Sequence, residues 1–321
     1  MNMKSLILVG AALAVFAAPI TFLGAHAETR VTYKSAKSTS SYYQMAVQLA
    51  EAVKRGSNGA MILTVEESQG SVQNVKEAAV RPGNYVFTTP PSLVSLAQAG
   101  KKMFEPKNDK FDSIRGLFPI PSLTMHFVVR ADSGVNTFAD LAGKTYLIGK
   151  GSFGAREAAK YFELFGVKDN VNLVDVELNA AVSALKNKQV DGFATAGSYP
   201  APNVMEAAAG TEIRLISMTD EQVAQSKRTK LVIPAGTYPG VDQDVTTTSL
   251  SVMAYTTTNM SDDAAYALTK TYWLEKARMG TDNKWWHAVN ADMLVDMKGK
   301  LHPGAVKYYT EAGMSVPDAL K

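Results

Sequence analysis

Cysteine is absent from the 321 residues of this chain. Its absence excludes disulfides, thiolate metal sites, a cysteine nucleophile and a lipid-modified N-terminal cysteine. Histidine occurs only four times, which is too few for a histidine-rich metal site. Neither sign of charge dominates, because 33 basic residues stand against 30 acidic ones. A nucleic-acid-binding protein would instead concentrate basic residues on one face. We therefore expect no cofactor, no metal ion and no nucleic-acid partner.

The first 27 residues have the pattern of a secretory signal peptide. Lys4 is the only charged residue of this segment, the run 6–24 is almost entirely apolar, and residues 25–27 read Ala-His-Ala. Small residues at these last positions suit signal peptidase. An uncleaved anchor helix is the alternative, since about 20 apolar residues can span a bilayer. We predict cleavage and a periplasmic location for residues 28–321, where a chain without cysteine suits an oxidising compartment.

The remaining chain alternates predicted strands and helices, which indicates parallel sheets covered by helices. Its length predicts about two domains. After residue 240 the pattern changes to one long β-rich run over 246–257, followed by predicted helices over 261–279, 285–297 and 303–311. The polar stretch 101–113 is predicted to be a surface loop. We predict an α/β protein in which lobe 1 comprises residues 28–120 plus 245–321 and lobe 2 comprises residues 121–244.

Ligands of open α/β sheets bind outside the carboxyl ends of the strands. Polar and aromatic residues gather at these predicted strand ends, and segment 35–41 has more hydroxyls than helix capping needs. For each residue, a capping or packing role is the alternative. His126 lies on the predicted strand that connects the lobes and could line the cleft. The predicted ligand contacts from these segments are Ser38, Ser41, Tyr42, Tyr43, Ser71, Thr88, Thr89, His126, Ser198 and Tyr199.

A glycine-rich turn at 149–154 (GKGSFG) follows a strand and opens a helix. With Asp175 farther on it matches a dinucleotide fingerprint, but that fingerprint should begin a cofactor domain and here follows a complete α/β block. We favour binding of an anion by backbone N–H groups at the helix N-terminus, through Ser152, Gly154 and Ala155. A tight turn without a ligand is the alternative. Arg156 opposes the helix dipole, which a ligand carboxylate would explain, as would a surface salt bridge or a contact between lobes.

No catalytic constellation is evident in the sequence. After cleavage only His126, His287 and His302 would remain, and no G-x-S-x-G, H-E-x-x-H or paired-acid motif occurs. We therefore predict a binding protein rather than an enzyme. A secreted hydrolase or oxidoreductase is the alternative from another class.

Several motifs resemble the TAXI family of solute receptors for TRAP transporters. They are 116–119 (GLFP), 126–134 (HFVVRADSG), 138–144 (FADLAGK), 233–240 (IPAGTYPG) and 301–305 (LHPGA), followed by Tyr308, Tyr309 and Gly313. The resemblance implies a type II periplasmic-binding-protein fold, with two α/β lobes and a ligand cleft between them. It also implies delivery of a small carboxylate, such as glutamate or 2-oxoglutarate, to a TRAP permease. A periplasmic partner of a sensor kinase is the alternative. We expect the protein to be a monomer.

The chain departs from this family at its ligand-facing loops. Where the family commonly carries Gln and Asp after the third strand, this chain has Thr89 and Pro91. A ligand ammonium would then lack an acidic partner, and an unpaired buried charge is costly. We therefore predict a non-amino organic acid, with Tyr42, Tyr43, Phe153 and Tyr199 available to contact an aromatic group.

Overall fold

The structure is a computed structural model that describes residues 28–321, and the predicted signal peptide lies outside this range. Within it, no helix has the length and apolar character needed to cross a membrane. The strands are Thr29–Lys34 (β1), Met61–Glu66 (β2), Tyr85–Thr89 (β3), Ile114–Arg130 (β4), Thr145–Leu147 (β5), Asn172–Val174 (β6), Gly192–Gly197 (β7), Ile213–Leu215 (β8), Thr229–Ile233 (β9) and Val245–Thr257 (β10). The α-helices are Ser41–Gly56 (α1), Ser71–Ala78 (α2), Pro91–Gln98 (α3), Phe153–Leu164 (α4), Ala181–Lys186 (α5), Pro202–Gly210 (α6), Asp220–Ser226 (α7), Asp262–Asp282 (α8) and Pro303–Glu311 (α9).

The strands join in one sheet of mixed direction. Its order is β2-β1-β3-β10-β4-β7-β5-β6, with β8 paired to β4 and β9 paired to β10. The strands β1 to β3 run parallel to one another, as do β5 to β7, so the predicted parallel arrangement holds at both ends of the sheet. The middle is antiparallel, because β4 and β10 run in opposite directions past each other.

The two longest strands, β4 and β10, connect the two ends of the sheet. They pair from Thr257 opposite Ile114 to Ser249 opposite Thr124. Beyond this overlap β4 pairs with β7, while the start of β10 pairs with β9. β4 therefore passes from the block that contains β1 to β3 into the block that contains β5 to β7, and β10 passes in the opposite direction.

The C-terminal helices pack back onto the first block. The hydroxyls of Tyr272 on α8 and Tyr309 on α9 donate to the carbonyls of Pro119 and Leu117 on β4, each at 2.7 Å. The rings of Phe118 and Tyr272 stack with centroids 3.9 Å apart. The last sixty residues thus cover the crossing strand β4, and the hydroxyls of Tyr272 and Tyr309 bond its carbonyls.

Two predicted segments differ in the structure. The helix predicted over 285–297 is two short 3-10 turns, Lys284–Ala288 and Ala291–Asp296. Asn283 and Asn290 each accept a hydrogen bond from the N–H two residues ahead, which starts a new turn and interrupts a continuous helix. The predicted surface loop 101–113 also contains 3-10 turns, which bury Phe104 and Phe111.

Neighbouring tyrosines on α9 allow a matched test of this anchoring. The Tyr309 hydroxyl donates to Leu117 and accepts from the Trp273 indole at 3.3 Å. Removing it leaves a buried carbonyl without its donor, so Tyr309→Phe should lower the free energy of unfolding by about 1–3 kcal/mol. Urea denaturation followed by tryptophan fluorescence measures the change. Tyr308→Phe, on the adjacent residue, is the control and should leave stability nearly unchanged; equal losses in both variants would contradict the anchoring role.

Candidate functional site

A narrow pocket lies where the carboxyl ends of β1, β2, β3 and β5 approach one another. It leaves about 50 Å³ of free space, which is room for a few waters or a small ligand in this arrangement. Its lining comes from both blocks of the sheet and from the crossing strands. The lining residues are Ser35, Ala36, Lys37, Ser40, Tyr42, Gln69, Gly70, Ser71, Thr88, Pro90, Leu123, Lys150, Ser152, Phe153, Gly154, Leu178, Ala196 and Val252.

Three helix N-termini point their first turns at this pocket. Ser40 caps α1 and accepts from the Tyr42 N–H at 3.2 Å, while Ser152 caps α4 and accepts from the Ala155 N–H at 2.9 Å. Gly70 precedes α2 and provides no side-chain cap. Each N-terminus carries a partial positive charge and N–H groups that lack intrahelical acceptors. The backbone therefore makes the pocket attractive to an anion.

The charged side chains of the pocket have the same sign. Lys37 and Lys150 line it, and no Asp or Glu is among its lining residues. Both lysines pair with acids outside the lining: Glu177 with Lys37 at 3.0 Å and Asp175 with Lys150 at 2.9 Å. The hydrogen bonds from Lys37 and Gln69 hold the pKa of Glu177 below its usual range. An acid group entering the pocket would meet cations and backbone N–H groups.

Buried hydrogen bonds hold the strand ends in place behind the pocket. The Asn74 side-chain amide donates to the carbonyls of Ser35 and Thr88 at 2.7 and 2.9 Å. The Thr88 hydroxyl donates to the Tyr33 hydroxyl at 2.9 Å, and burial raises the pKa of Tyr33 to about 12. The Tyr42 hydroxyl donates to Pro121 at 3.0 Å. The hydroxyls of Thr88 and Tyr42 therefore already have hydrogen-bond partners within the protein, and they stabilise the structure behind the pocket.

Contacts across the cleft bring the two blocks together. Glu177, which follows β6, accepts from the Gln69 amide at 2.8 Å in addition to its ion pair with Lys37. The Ser41 hydroxyl oxygen accepts from the Ser198 N–H at 3.0 Å. The pocket is therefore enclosed by polar contacts from both sides.

Five of the predicted ligand residues line the pocket: Tyr42, Ser71, Thr88, Ser152 and Gly154. Ser71 is the first residue of α2 rather than its cap, which is Gly70. Whether any of these residues touches a ligand stays a prediction.

The other predicted residues lie outside the pocket lining for identifiable reasons. Ser38 is exposed and its N–H bonds the Glu67 carboxylate. The Ser41–Ser198 pair forms the contact between blocks. Thr89 is buried in the sheet opposite Met253, and the Ala155 N–H is used by the Ser152 cap. Tyr43, the third residue of α1, is half-buried outside the lining.

His126, Tyr199 and Arg156 are also absent from the pocket lining. His126 is buried, with Nδ1 3.1 Å from the Thr124 carbonyl and Nε2 2.8 Å from the Tyr238 hydroxyl. Tyr199 lines a separate cavity that Trp285 also borders. Arg156 extends along the outer side of α4, where its guanidinium donates to the Met103 sulfur at 2.9 Å. The sequence locates these residues near strand and helix ends but does not reveal which way they face.

Sequence reasoning missed Lys37, Gln69 and Lys150 as pocket residues. Lys37 lies inside the hydroxyl-rich segment 35–41, and Lys150 lies inside the glycine-rich turn. Each of these lysines is the one cation in a polar loop that follows a strand, and this pattern is the sequence signal that identifies them. Glu177, which the sequence analysis does not single out, bridges the two blocks through Lys37 and Gln69.

Solved structures share this architecture at low sequence identity. The periplasmic binding protein BugD superposes with a TM-score of 0.57 and 12% identity, covering 90% of this chain and 99% of BugD. A structure of MatC from Rhodopseudomonas palustris with bound malate gives a TM-score of 0.54 and 12% identity, over 80% of this chain and 88% of MatC. A periplasmic transporter structure gives 0.53 and 12%, over 89% and 93%. The fold is therefore the two-lobed α/β fold of periplasmic binding proteins.

The sequence itself places the chain more narrowly. Residues 34–313 match the family model described as the NMT1-like family. This match spans most of the chain, and the chain belongs to the NMT1-like family.

The buried His126 predicts a dependence of stability on pH. Desolvation lowers its pKa to about 4, whereas an unfolded histidine titrates near 6.5. The unfolded state therefore binds more protons between these values, so this contribution is complete above pH 6.5 and falls by on the order of 3 kcal/mol as the pH drops through 4.

The test compares unfolding free energies from urea titrations of wild type and His126→Gln between pH 4 and 7.5. The variant should lose part of the acid-dependent slope, because glutamine does not titrate. His302, whose pKa burial also lowers, provides a residual slope in both proteins. Identical pH profiles would contradict the assignment to His126.

Proposed function

We propose that this protein is a periplasmic solute-binding protein that captures a small organic acid between its lobes and delivers it to a TRAP-type permease. The observation that carries the proposal is the charge arrangement of the pocket. Three helix N-termini and two lysines border it, and no carboxylate is among its lining residues. Helix N-termini and lysines together favour a carboxylate or another small anion.

The same arrangement disfavours an amino acid. An ammonium group enclosed in this pocket would meet Lys37 and Lys150 and would find no acidic side chain in the lining. Burying a charge without a partner costs several kcal/mol. A non-amino acid, such as a 2-oxo or 2-hydroxy acid, avoids this cost. MatC, which shares the fold, was solved with malate, a non-amino acid of this kind.

The proposed lobes are residues 28–120 plus 245–321 and residues 121–244. The crossing of β4 and β10 between the two ends of the sheet supports this division. The pocket residues 35–90 belong to the first lobe and residues 150–196 to the second. A ligand bound to both sets would draw the lobes together, which couples occupancy to closure.

The periplasmic location and the TRAP partner are supported by sequence features. Residues 1–27 have the signal-peptide pattern, and the motifs at 116–144, 233–240 and 301–305 resemble the TAXI receptors of TRAP transporters. A permease gene of the TRAP type beside this one would support transport, whereas a sensor kinase gene alone would support signalling.

A thermal-shift screen with matched acids tests the ligand class. We expect 2-oxoglutarate or malate to stabilise the protein more than glutamate or aspartate, because each pair differs at the amino group. Saturation at about 100 times the dissociation constant should add about 2.7 kcal/mol. Tighter binding of the amino members would overturn the predicted class. Stabilisation by a nucleotide cofactor alone would overturn the receptor function itself.

Three variants test which cation holds the acid. Lys37→Gln should weaken binding by about 10- to 100-fold, the scale of a lost charged hydrogen bond. Glu177→Gln keeps the lysine and removes its ion-pair partner, so it should bind at least as tightly as wild type. Arg156→Gln should leave affinity unchanged, because Arg156 lies outside the pocket.

Calorimetry with the best acid from the screen measures all three dissociation constants. Equal weakening by Lys37→Gln and Glu177→Gln would show that Lys37 only ties the blocks together. Weakening by Arg156→Gln alone would place the carboxylate at Arg156.

A further inference from the structure

A second, wider groove runs beside the pocket and shares only Pro90 and Phe153 with it. It encloses about 980 Å³. One wall is the start of α3 with segment 99–102, and the other is the outer face of α4 with segment 227–229. Residues 249–251 of β10 form its floor, and Asp296 and Lys298 border it.

Positive charge is concentrated along this groove. Seven of its lining residues are cations and three are acids, although the whole chain carries a formal charge of only +3. Among residues 28–321, six of these cations form no ion pair: Lys101, Lys102, Arg156, Lys160, Lys227 and Lys298.

The three acids of the groove already have partners. Glu157 binds the Arg228 guanidinium through two hydrogen bonds of 2.8 and 3.0 Å. Asp296 accepts from the Ser251 hydroxyl at 2.7 Å, and Glu163 pairs with Lys168 at 3.2 Å. Asp296 keeps its charge beside this neutral hydroxyl, so seven cations and three acids give the groove lining a net charge of +4.

The two cations on α4 are partly withdrawn from water. Arg156 and Lys160 are half-buried, one on the Met103 sulfur and the other on the Ser226 carbonyl at 3.1 Å. Burial lowers the pKa of Lys160, and the nearby positive charges of Arg228 and Lys102 lower it further, against the opposing effect of Glu157. Mutual repulsion of this kind is relieved by an anion placed among the cations.

We propose that this groove is a docking site for an acidic segment of a partner protein. The groove is long and open, and four of its six unpaired cations are exposed lysines. A small solute would need hydrogen-bond donors that are close together and shielded from water. A peptide segment with several carboxylates can instead contact cations along the length of the groove. Such charge complementarity sets the association rate and the partner choice more than the affinity.

The walls of the groove come from the two proposed lobes. Lys101 lies on the first lobe and Lys160 on the second. The two walls are therefore this close to each other only when the lobes are together. Docking would therefore favour the closed form. This coupling to closure rests on the proposed function, whereas the docking site itself does not.

Fluorescence anisotropy with a labelled oligoglutamate peptide tests the docking site on the mature chain. We expect binding at low salt that weakens by at least about tenfold between roughly 0.02 and 0.2 M salt. The double variant Lys101→Gln with Lys160→Gln, which removes one cation from each wall, should weaken binding by about tenfold or more.

The matched control is Lys54→Gln with Lys76→Gln, which removes two exposed helical lysines outside the groove lining. It changes the net charge equally and should leave peptide affinity within about twofold. If both double variants lost peptide affinity equally, the effect would come from net charge alone, and the proposal would be overturned. Binding to vesicles of anionic lipid, with none to the peptide, would also overturn it. The affinity of the Lys101 and Lys160 double variant for the organic acid is measured in parallel. This second measurement tests the receptor function independently of the docking site.

Discussion

The antiparallel pairing of β4 with β10 is the constraint on which the rest of the structure depends. It is the only place in the sheet of residues 28–321 where the two parallel ends are joined. Its residues are nearly all buried, so register is fixed by the apolar faces that must be covered on both sides. The C-terminal helices cover the same strand through Tyr272 and Tyr309, which explains why sixty residues at the end of the chain stabilise strands far earlier in sequence.

The pocket follows from this arrangement because the crossing strands set two groups of strand ends against each other. Parallel strands present their carboxyl ends at one edge, and the helices that follow begin there. Placing two such edges face to face brings the N-termini of α1, α2 and α4 together, so their partial charges add. Lys37 and Lys150 contribute further positive charge, while Glu177 and Asp175 lie outside the lining. The preference for an anion is thus a property of the fold as much as of single side chains.

Local patterns in the sequence predicted most of the elements that hold the site. The helix predicted to open at the glycine-rich turn 149–154 is α4, and the β-rich run predicted over 246–257 is β10. The antiparallel centre of the sheet was not predictable, because alternating strands and helices specify neighbours but not the direction of a strand that crosses between lobes. The first half of β4 was missed because its prolines argue against a central strand. Side-chain direction was the other limit: Arg156 and Phe153 are three residues apart on α4, yet only Phe153 reaches the pocket.

The prolines of β4 also explain where the crossing strands bend. Between Leu250 and Val252 of β10, the partner residue on β4 moves from Leu123 to Ile120, so β4 carries one extra residue there. Pro121 lies inside this bulge, where its missing N–H costs no ladder hydrogen bond. The carbonyls that the bulge frees are bonded by hydroxyls from both blocks: Tyr42 of α1 donates to Pro121, and Ser198 after β7 donates to Ser122 at 2.7 Å. The contacts that hold this bend also enclose the pocket, because Tyr42 lines the pocket and the Ser198 N–H donates to the Ser41 hydroxyl.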